Sequence, residues 1–183
     1  MNMELIKNSK VLVDEKTLDA RLCEIADEIN RDFSGEKVII VGVLKGSFMF
    51  MSDLLKKINL DTEIYFLKAE SYGKSTESSG AVKITKDIER DIKGENVIVV
   101  EDIIDSGFTM REVFKLLAER NPKSLKLCSC LSKPERRECE IKIDYLGFEI
   151  PDKFVIGYGL DYAEKYRNLD YIGIVDTNCL KDL

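Results

Sequence analysis

The chain has 183 residues, 44% of them hydrophobic, with 28 Lys+Arg against 34 Asp+Glu and a formal net charge of -6. At about 150 residues per domain this reads as one domain over residues 1–183, and the acidic balance argues against a broad electrostatic footprint for duplex nucleic acid or an anionic membrane while leaving room for a local basic pocket. The sequence contains no His, which excludes Ser-His-Asp and Cys-His pairs, HExxH zinc sites and imidazole acid/base chemistry, and leaves proton transfer to carboxylates, Lys, Tyr, Cys or water.

Met1 to Lys10 carries charges inside its apolar stretch, and no run approaches the ~18 apolar residues of a spanning helix, so a soluble, untargeted, cytoplasmic protein is expected. From Thr17 to Phe33 apolar residues recur at three- and four-residue spacing, with Gly35 as a stop, which predicts an amphipathic helix. Val38 to Leu44 is a continuous run without alternation, the pattern of a strand buried on both faces in a parallel sheet. A helix over about Ser47 to Ile58 and a strand over Thr62 to Ala69 follow. Val97 to Val100 predicts a second doubly buried strand, running into a helix from about Thr109 to Arg120. Strands near Leu125–Leu131, Ile141–Phe148, Phe154–Gly157 and Tyr171–Val175 complete the alternation, which predicts an α/β doubly wound sheet flanked by helices.

Two segments stand outside that pattern. Glu70 to Gly80 (ESYGKSTESSG) is polar and long for a connection, and reads either as a mobile lid or as a solvated excursion between strands. Lys133 to Arg137 (KPERR) is a basic cluster in an acidic chain and reads as a charged turn. The five cysteines, Cys23, Cys128, Cys130, Cys139 and Cys179, are odd in number without a CxxC pair; they read as reduced packing thiols, with Cys128 and Cys130 on one face of a strand.

Ligands of open α/β sheets bind beyond the carboxyl ends of strands. After Val97–Val100 comes EDIIDSGFT: Glu101, Asp102 and Asp105, then Ser106, Gly107, Phe108 and Thr109 at a helix start. Three carboxylates at a strand end are costly unless they meet a metal, hydroxyls or a cation, and the Ser-Gly-x-Thr run offers hydroxyls and N–H groups to an anion. One short loop therefore joins acids to a phosphate cradle.

The string VIVVEDIIDSGFT resembles the phosphoribosyl pyrophosphate signature of type I phosphoribosyltransferases. LKGS at 44–47, SY at 71–72, LSKP at 131–134, PDKFVIGYGLDYAEKYR at 151–167 and DYIGIV at 170–175 fall in the order of the hypoxanthine-guanine branch of that family. The resemblance implies a mainly parallel sheet with a small hood formed by terminal segments, and Mg²⁺-dependent transfer of phosphoribosyl from phosphoribosyl pyrophosphate to N9 of hypoxanthine or guanine, giving IMP or GMP and pyrophosphate.

The same resemblance implies roles. Glu101 and Asp102 face the ribose hydroxyls and Mg²⁺; Ser106, Gly107, Phe108 and Thr109 cradle the 5′-phosphate. Asp105 is the proton acceptor. Lys45 and Gly46, with a cis peptide between Leu44 and Lys45, form a pyrophosphate loop assisted by Arg167, and Asp161 serves a second Mg²⁺ position. Lys133 donates to the purine 6-oxo group, Phe154 stacks on the base and Val155 reads its edge; Ser71 and Tyr72 tip the lid. Ser132 stands where bacterial relatives are expected to carry an acid. The resemblance also implies a homodimer or homotetramer, with no nucleic-acid or membrane partner. By residue type alone Phe154 reads as core, Lys133 and Arg167 as solvated charges, and Asp161 as a helix N-cap. A regulator that merely senses phosphoribosyl pyrophosphate would want a basic stripe that this chain lacks, whereas an enzyme of the same fold acting on xanthine or a pyrimidine stays open.

Overall fold

The two uninterrupted β-branched runs lie side by side at the centre of a sheet. They belong to β2 (Lys37–Leu44) and β5 (Asn96–Ile104), which pair in parallel with Val38 opposite Asn96 and Gly42 opposite Val100. The computed structural model describes residues 9–71 and 82–175. Among these, the remaining strands are β1 (Lys10–Val13), β3 (Asp61–Ser71), β4 (Val82–Lys86), β6 (Ser124–Ser132), β7 (Tyr145–Glu149), β8 (Phe154–Ile156) and β9 (Ile172–Val175). The helices are α1 (Glu15–Asp32), α2 (Phe48–Leu55) and α3 (Phe108–Ala118), with a 3₁₀ turn at Pro134–Arg136.

The larger sheet has the order β4-β3-β2-β5-β6-β7, parallel throughout except where β4 runs antiparallel to β3. Strand periodicity sends alternate residues of β2 to opposite faces. Val38 and Ile40 join a core with Leu22, Ile25 and Ile29 of α1 and Phe50 and Leu54 of α2, whereas Ile39, Val41 and Val43 join Met110, Val113 and Leu117 of α3. Helices on both faces are what the unbroken apolar pattern requires. α1 begins where Asp14 accepts a hydrogen bond from the Thr17 N–H at 2.8 Å, two residues ahead of the predicted start.

Cys128 and Cys130 are buried in β6 on the α1 side, as expected, and burial raises both thiol pKa values. Cys23 departs from that expectation: it is exposed on α1. The strand expected over Ile141–Phe148 is shorter and later, because Asp144 turns its carboxylate onto the Leu127 N–H at 3.0 Å and pairing with β6 begins only at Tyr145. β7 is an edge strand, and Arg21 of α1 donates to its Leu146 carbonyl at 2.7 Å and its Gly147 carbonyl at 3.3 Å.

The second sheet is the implied hood. β9 lies between β1 and β8 and is antiparallel to both, pairing Lys10 with Ile174 and Phe154 with Val175. β1 and β4 have no counterpart among the predicted elements, and Tyr171 lies before β9 rather than in it.

Two glycines separate kinds of crowding. A Cβ at Gly42 would lie 2.4 Å from Met51 Sδ, the end of a flexible side chain, while one at Gly147 would lie 2.2 Å from the Cys130 carbonyl oxygen in the paired strand. Gly42→Ala is expected to cost about 1 kcal/mol and Gly147→Ala about 3 kcal/mol or more, the two ends of the usual overpacking range. Urea unfolding of the two variants checks the order, and equal losses would contradict it.

Candidate active site

β2 leads through α2 to β3 on one side, and β5 leads through α3 to β6 on the other, so the chain leaves these neighbours in opposite directions. Their carboxyl ends form the switch-point crevice of an open α/β sheet. Lys45–Ser47 follows β2 there, and Glu101–Thr109 closes β5 and opens α3.

The Leu44–Lys45 peptide is cis, as the family resemblance implied. The loop behind it is held tightly: Ser47 Oγ donates to the Val43 carbonyl at 2.6 Å. A Cβ on Gly46 would fall 1.5 Å from Asp102 Oδ2. On the other side Gly159, at φ 98°, brings its own Cα so close that a Cβ would fall 2.0 Å from the Gly46 carbonyl oxygen. A side chain at Gly159 would meet backbone and one at Gly46 would displace the Asp102 carboxylate, so the Lys45–Ser47 loop is wedged between an acid of β5 and the turn that follows β8.

Glu101 is buried and Asp102 partly so. Burial pushes the Glu101 carboxyl well above the ordinary carboxylate range, and the neighbouring Asp102 charge adds to it. Burial likewise pushes Asp102 up to about 6, opposed by the Ile103 N–H, which donates to Asp102 Oδ1 at 2.8 Å, and more weakly by the Arg167 charge. These are groups that want a cation.

Gly107, at φ 93°, caps α3, whose first turn carries no acid, so the helix N-terminus offers its N–H groups and Ser106 and Thr109 hydroxyls to an anion. The segment after β6 backs this cradle. Ser106 O accepts hydrogen bonds from the Glu138 N–H at 3.0 Å and the Cys139 N–H at 3.2 Å, and a Cβ on Gly107 would meet Cys139 Sγ at 3.0 Å and Arg137 Cδ at 3.2 Å.

Asp105 Oδ1 is buried, lies 3.0 Å from Arg136 Nε as an ion pair, and accepts no hydrogen bond. Arg136 Nη1 lies 3.7 Å from Asp152 Oδ1, and the same carboxylate lies 3.7 Å from Lys133 Nζ. An alternating chain of charges therefore runs from Asp105 to Lys133, whose side chain is 7% exposed. The KPERR cluster is partly the charged turn expected of it, but its Lys is buried and both its arginines face the site. Arg137 Nη2 donates to Ser132 Oγ at 2.8 Å while its Nε is left without a hydrogen bond; one hydroxyl satisfies one arm of a fork that a carboxylate would hold by two.

The hood supplies the remaining wall. Phe154 is half-buried with Tyr162 edge-on at 5.9 Å, and Val155 is buried in the strand beside it. Arg167 Nη1 donates to the Gly159 carbonyl at 2.8 Å and Nη2 lies 2.9 Å from Asp161 Oδ1. Asp161 caps a turn rather than a helix, accepting from the Glu164 N–H at 2.8 Å. Tyr72 and the side chain of Ser71 lie outside the described residues; the backbone of Ser71 ends β3. Glu164, Arg136, Arg137 and Asp152 are site neighbours that sequence reasoning did not single out individually. Only the basic cluster signalled two of them.

Residues 9–163 match the model of the phosphoribosyl transferase domain family. A hypoxanthine phosphoribosyltransferase of Buchnera aphidicola is 50% identical over 168 residues, covering 91% of this chain and 95% of that protein. A crystal structure of a hypoxanthine-guanine phosphoribosyltransferase from Bacillus anthracis is similar with a TM-score of 0.88 at 49% identity, covering 91% of this chain and 98% of that one. A hypoxanthine phosphoribosyltransferase from Staphylococcus aureus gives 0.92 at 40% identity, covering 98% of each chain.

The raised Asp102 carboxyl fixes the sign of a stability effect. The folded state keeps this proton to about pH 6 whereas the unfolded chain releases it near 4, so between those values the folded form binds more protons and stability falls as pH rises. Asp102→Asn is expected to be more stable than the parent by about 1–2 kcal/mol at pH 7.5, discounted for partial exposure, with the gain shrinking toward pH 4. Urea midpoints at the two pH values check this, and a variant no more stable at pH 7.5 would contradict it.

Proposed function

The chain belongs to the phosphoribosyltransferase family, and on that premise we propose that the groups gathered at the switch point carry out purine salvage, moving the 5-phosphoribosyl group from phosphoribosyl pyrophosphate to N9 of hypoxanthine or guanine. The products are IMP or GMP and pyrophosphate. The observation that carries this assignment is the packing of Gly46 against Asp102, which sets a loop bearing Lys45 beside two desolvated acids and a phosphate cradle on one strand end.

In the step itself the purine N9 electron pair forms a bond to ribose C1′, the C1′–oxygen bond to pyrophosphate breaks, and its electron pair leaves with the pyrophosphate. Ser106, Gly107, Phe108 and Thr109 hold the 5′-phosphate at the α3 N-terminus. Lys45, the Gly46 backbone and Arg167 take the pyrophosphate, where fixed cations favour the charge that builds on the leaving group. Asp105 accepts the proton that the purine loses: its Oδ1 accepts no hydrogen bond, and the ion pair with Arg136 at 3.0 Å holds the side chain in place. Lys133 donates to the 6-oxo group, with Phe154 on the face of the base and Val155 at its edge.

We assign Mg²⁺ to Glu101 and Asp102, with Asp161 at a second position. Their chemistry fits a hard cation: all are oxygen donors, and the first two are desolvated in a way a positive charge would offset. When bound, the ion supplies charge neutralisation on pyrophosphate. We place the enzyme in the cytoplasm, a reducing compartment that suits the free thiols of Cys23, Cys128, Cys130 and Cys139. Exposed Ile64 and Phe66 on β3 and Phe48 on α2 support assembly as a homodimer or homotetramer.

Lys133 only donates hydrogen bonds, so a 6-oxopurine satisfies it and the 6-amino group of adenine does not. Hypoxanthine and guanine are therefore expected to be used and adenine refused by a factor of up to about 10⁴–10⁵ in kcat/KM. Lys133→Ala is expected to raise KM for the base with KM for phosphoribosyl pyrophosphate nearly unchanged. Initial rates with hypoxanthine, guanine, xanthine, adenine and uracil test the assignment, and efficient turnover of adenine would overturn it. Asp105→Asn keeps the size of the side chain and loses its basicity; kcat is expected to fall by about 10²–10⁴ with small changes in binding, and a loss of affinity in proportion to rate would assign Asp105 to holding the loop instead.

A further inference from the structure

Lys45 and Arg167 reach the crevice from opposite ends of the chain, yet both converge on one carboxylate of their own protein. Lys45 Nζ donates to Glu164 Oε2 at 2.8 Å, and Arg167 Nη2 donates to the same oxygen at 3.3 Å. Glu164 lies 119 residues beyond Lys45, so the contact is made by the fold and not by local helical spacing.

The turn that delivers this carboxylate is a built one. Ala163 and Glu164 are consecutive left-handed residues at φ 50° and 63°, a conformation that side chains other than glycine seldom adopt. They are held by a two-way backbone pair between Tyr162 and Lys165, at 3.1 and 3.0 Å, and by the Glu164 N–H on Asp161 Oδ2 at 2.8 Å. Lys45, followed by Arg167, holds the Glu164 carboxyl below its ordinary range, so it is an anion at neutral pH. Glu164 and Arg167 also line a cavity of about 460 Å³ with Phe48, Met49 and Tyr166.

As a structural staple this contact is poor. The Lys45 and Glu164 side chains are 53% and 65% exposed, and ion pairs of that kind add little to stability. As an exchangeable one it is well placed, because it occupies donors of both cations and is readily broken.

We propose that Glu164 is an internal anion that competes with pyrophosphate for Lys45 and Arg167 and so limits how tightly pyrophosphate is held. Pyrophosphate binding either draws the two cations away from Glu164 or leaves a carboxylate facing the phosphate oxygens; both weaken binding. A moderated grip favours release of this product, a step that sets turnover in many transferases and lid-bearing enzymes. The inference rests on the assignment of Lys45 and Arg167 to pyrophosphate given above.

Calorimetric titration of the full chain with pyrophosphate in Mg²⁺ buffer tests it, comparing the parent with Glu164→Gln, Glu164→Ala and Lys45→Gln at low and high salt. Both Glu164 variants are expected to bind pyrophosphate about two- to fivefold more tightly, the range of an exposed ion pair, with the gain shrinking at high salt. Lys45→Gln is expected to bind it more weakly. Weaker binding by Lys45→Gln with unchanged or weaker binding by the Glu164 variants would overturn the inference and leave the pyrophosphate assignment standing. Unchanged binding by Lys45→Gln would overturn the assignment of that residue, and the inference with it.

Discussion

Placing two adjacent carboxylates at the end of a strand buried on both faces is the constraint around which this molecule is arranged. β5 crosses the centre of the sheet through Val97–Val100, whose side chains fill both helical layers, and turns acidic at Glu101, just past its last residue paired with β2. The cost of desolvating those acids is carried by the core of the two helical layers. It leaves the site with charge that is most comfortable when a cation is near, and the neighbouring elements follow from it. A Cβ on Gly46 would meet the Asp102 carboxylate, and one on Gly159, at φ 98°, would meet the Gly46 carbonyl.

The purine-facing side is organised by alternating charge. Asp105, Arg136, Asp152 and Lys133 lie along one path, so the group proposed as proton acceptor and the group proposed to read the 6-position belong to one electrostatic unit. Coupling of this sort makes the effects of changing neighbouring members non-additive. It also gives the basic cluster after β6 a purpose that its composition does not reveal. The cluster folds back under the phosphate cradle through the Glu138 and Cys139 N–H groups.

The doubly wound sheet was legible from the unbroken β-branched runs at Val38 and Val97, since burial on both faces leaves that mark and few others. The cluster of acids beside a glycine-capped helix start at the end of β5 was legible because it forces unusual residue types into a short contiguous stretch. Glu164 was not. It looks like one more surface charge in a sequence where 34% of residues are charged, and its place depends on two left-handed residues of types that carry no turn signal. The strand expected from Ile141 was misplaced because its apolar alternation is real, while the Leu127 N–H of β6 donates to the Asp144 carboxylate and not to a strand carbonyl. β1 and β4 are short edge strands whose partners decide their conformation, so local pattern carries little of them.

The hood has a consequence for the order in which the protein comes into being on the ribosome. Its middle strand is the last of the described strands, and β1, near the other end, has no partner until β9 has emerged. A nascent chain that has reached β7 already holds every strand of the larger sheet, with the phosphate cradle at its centre. The strand carrying Phe154 and Val155 gains its own hydrogen-bonded neighbour only when β9 follows. The Glu101–Thr109 segment and Lys133 thus belong to the part of the chain whose sheet can be complete first, whereas the wall that carries Phe154 and Val155 waits for β9.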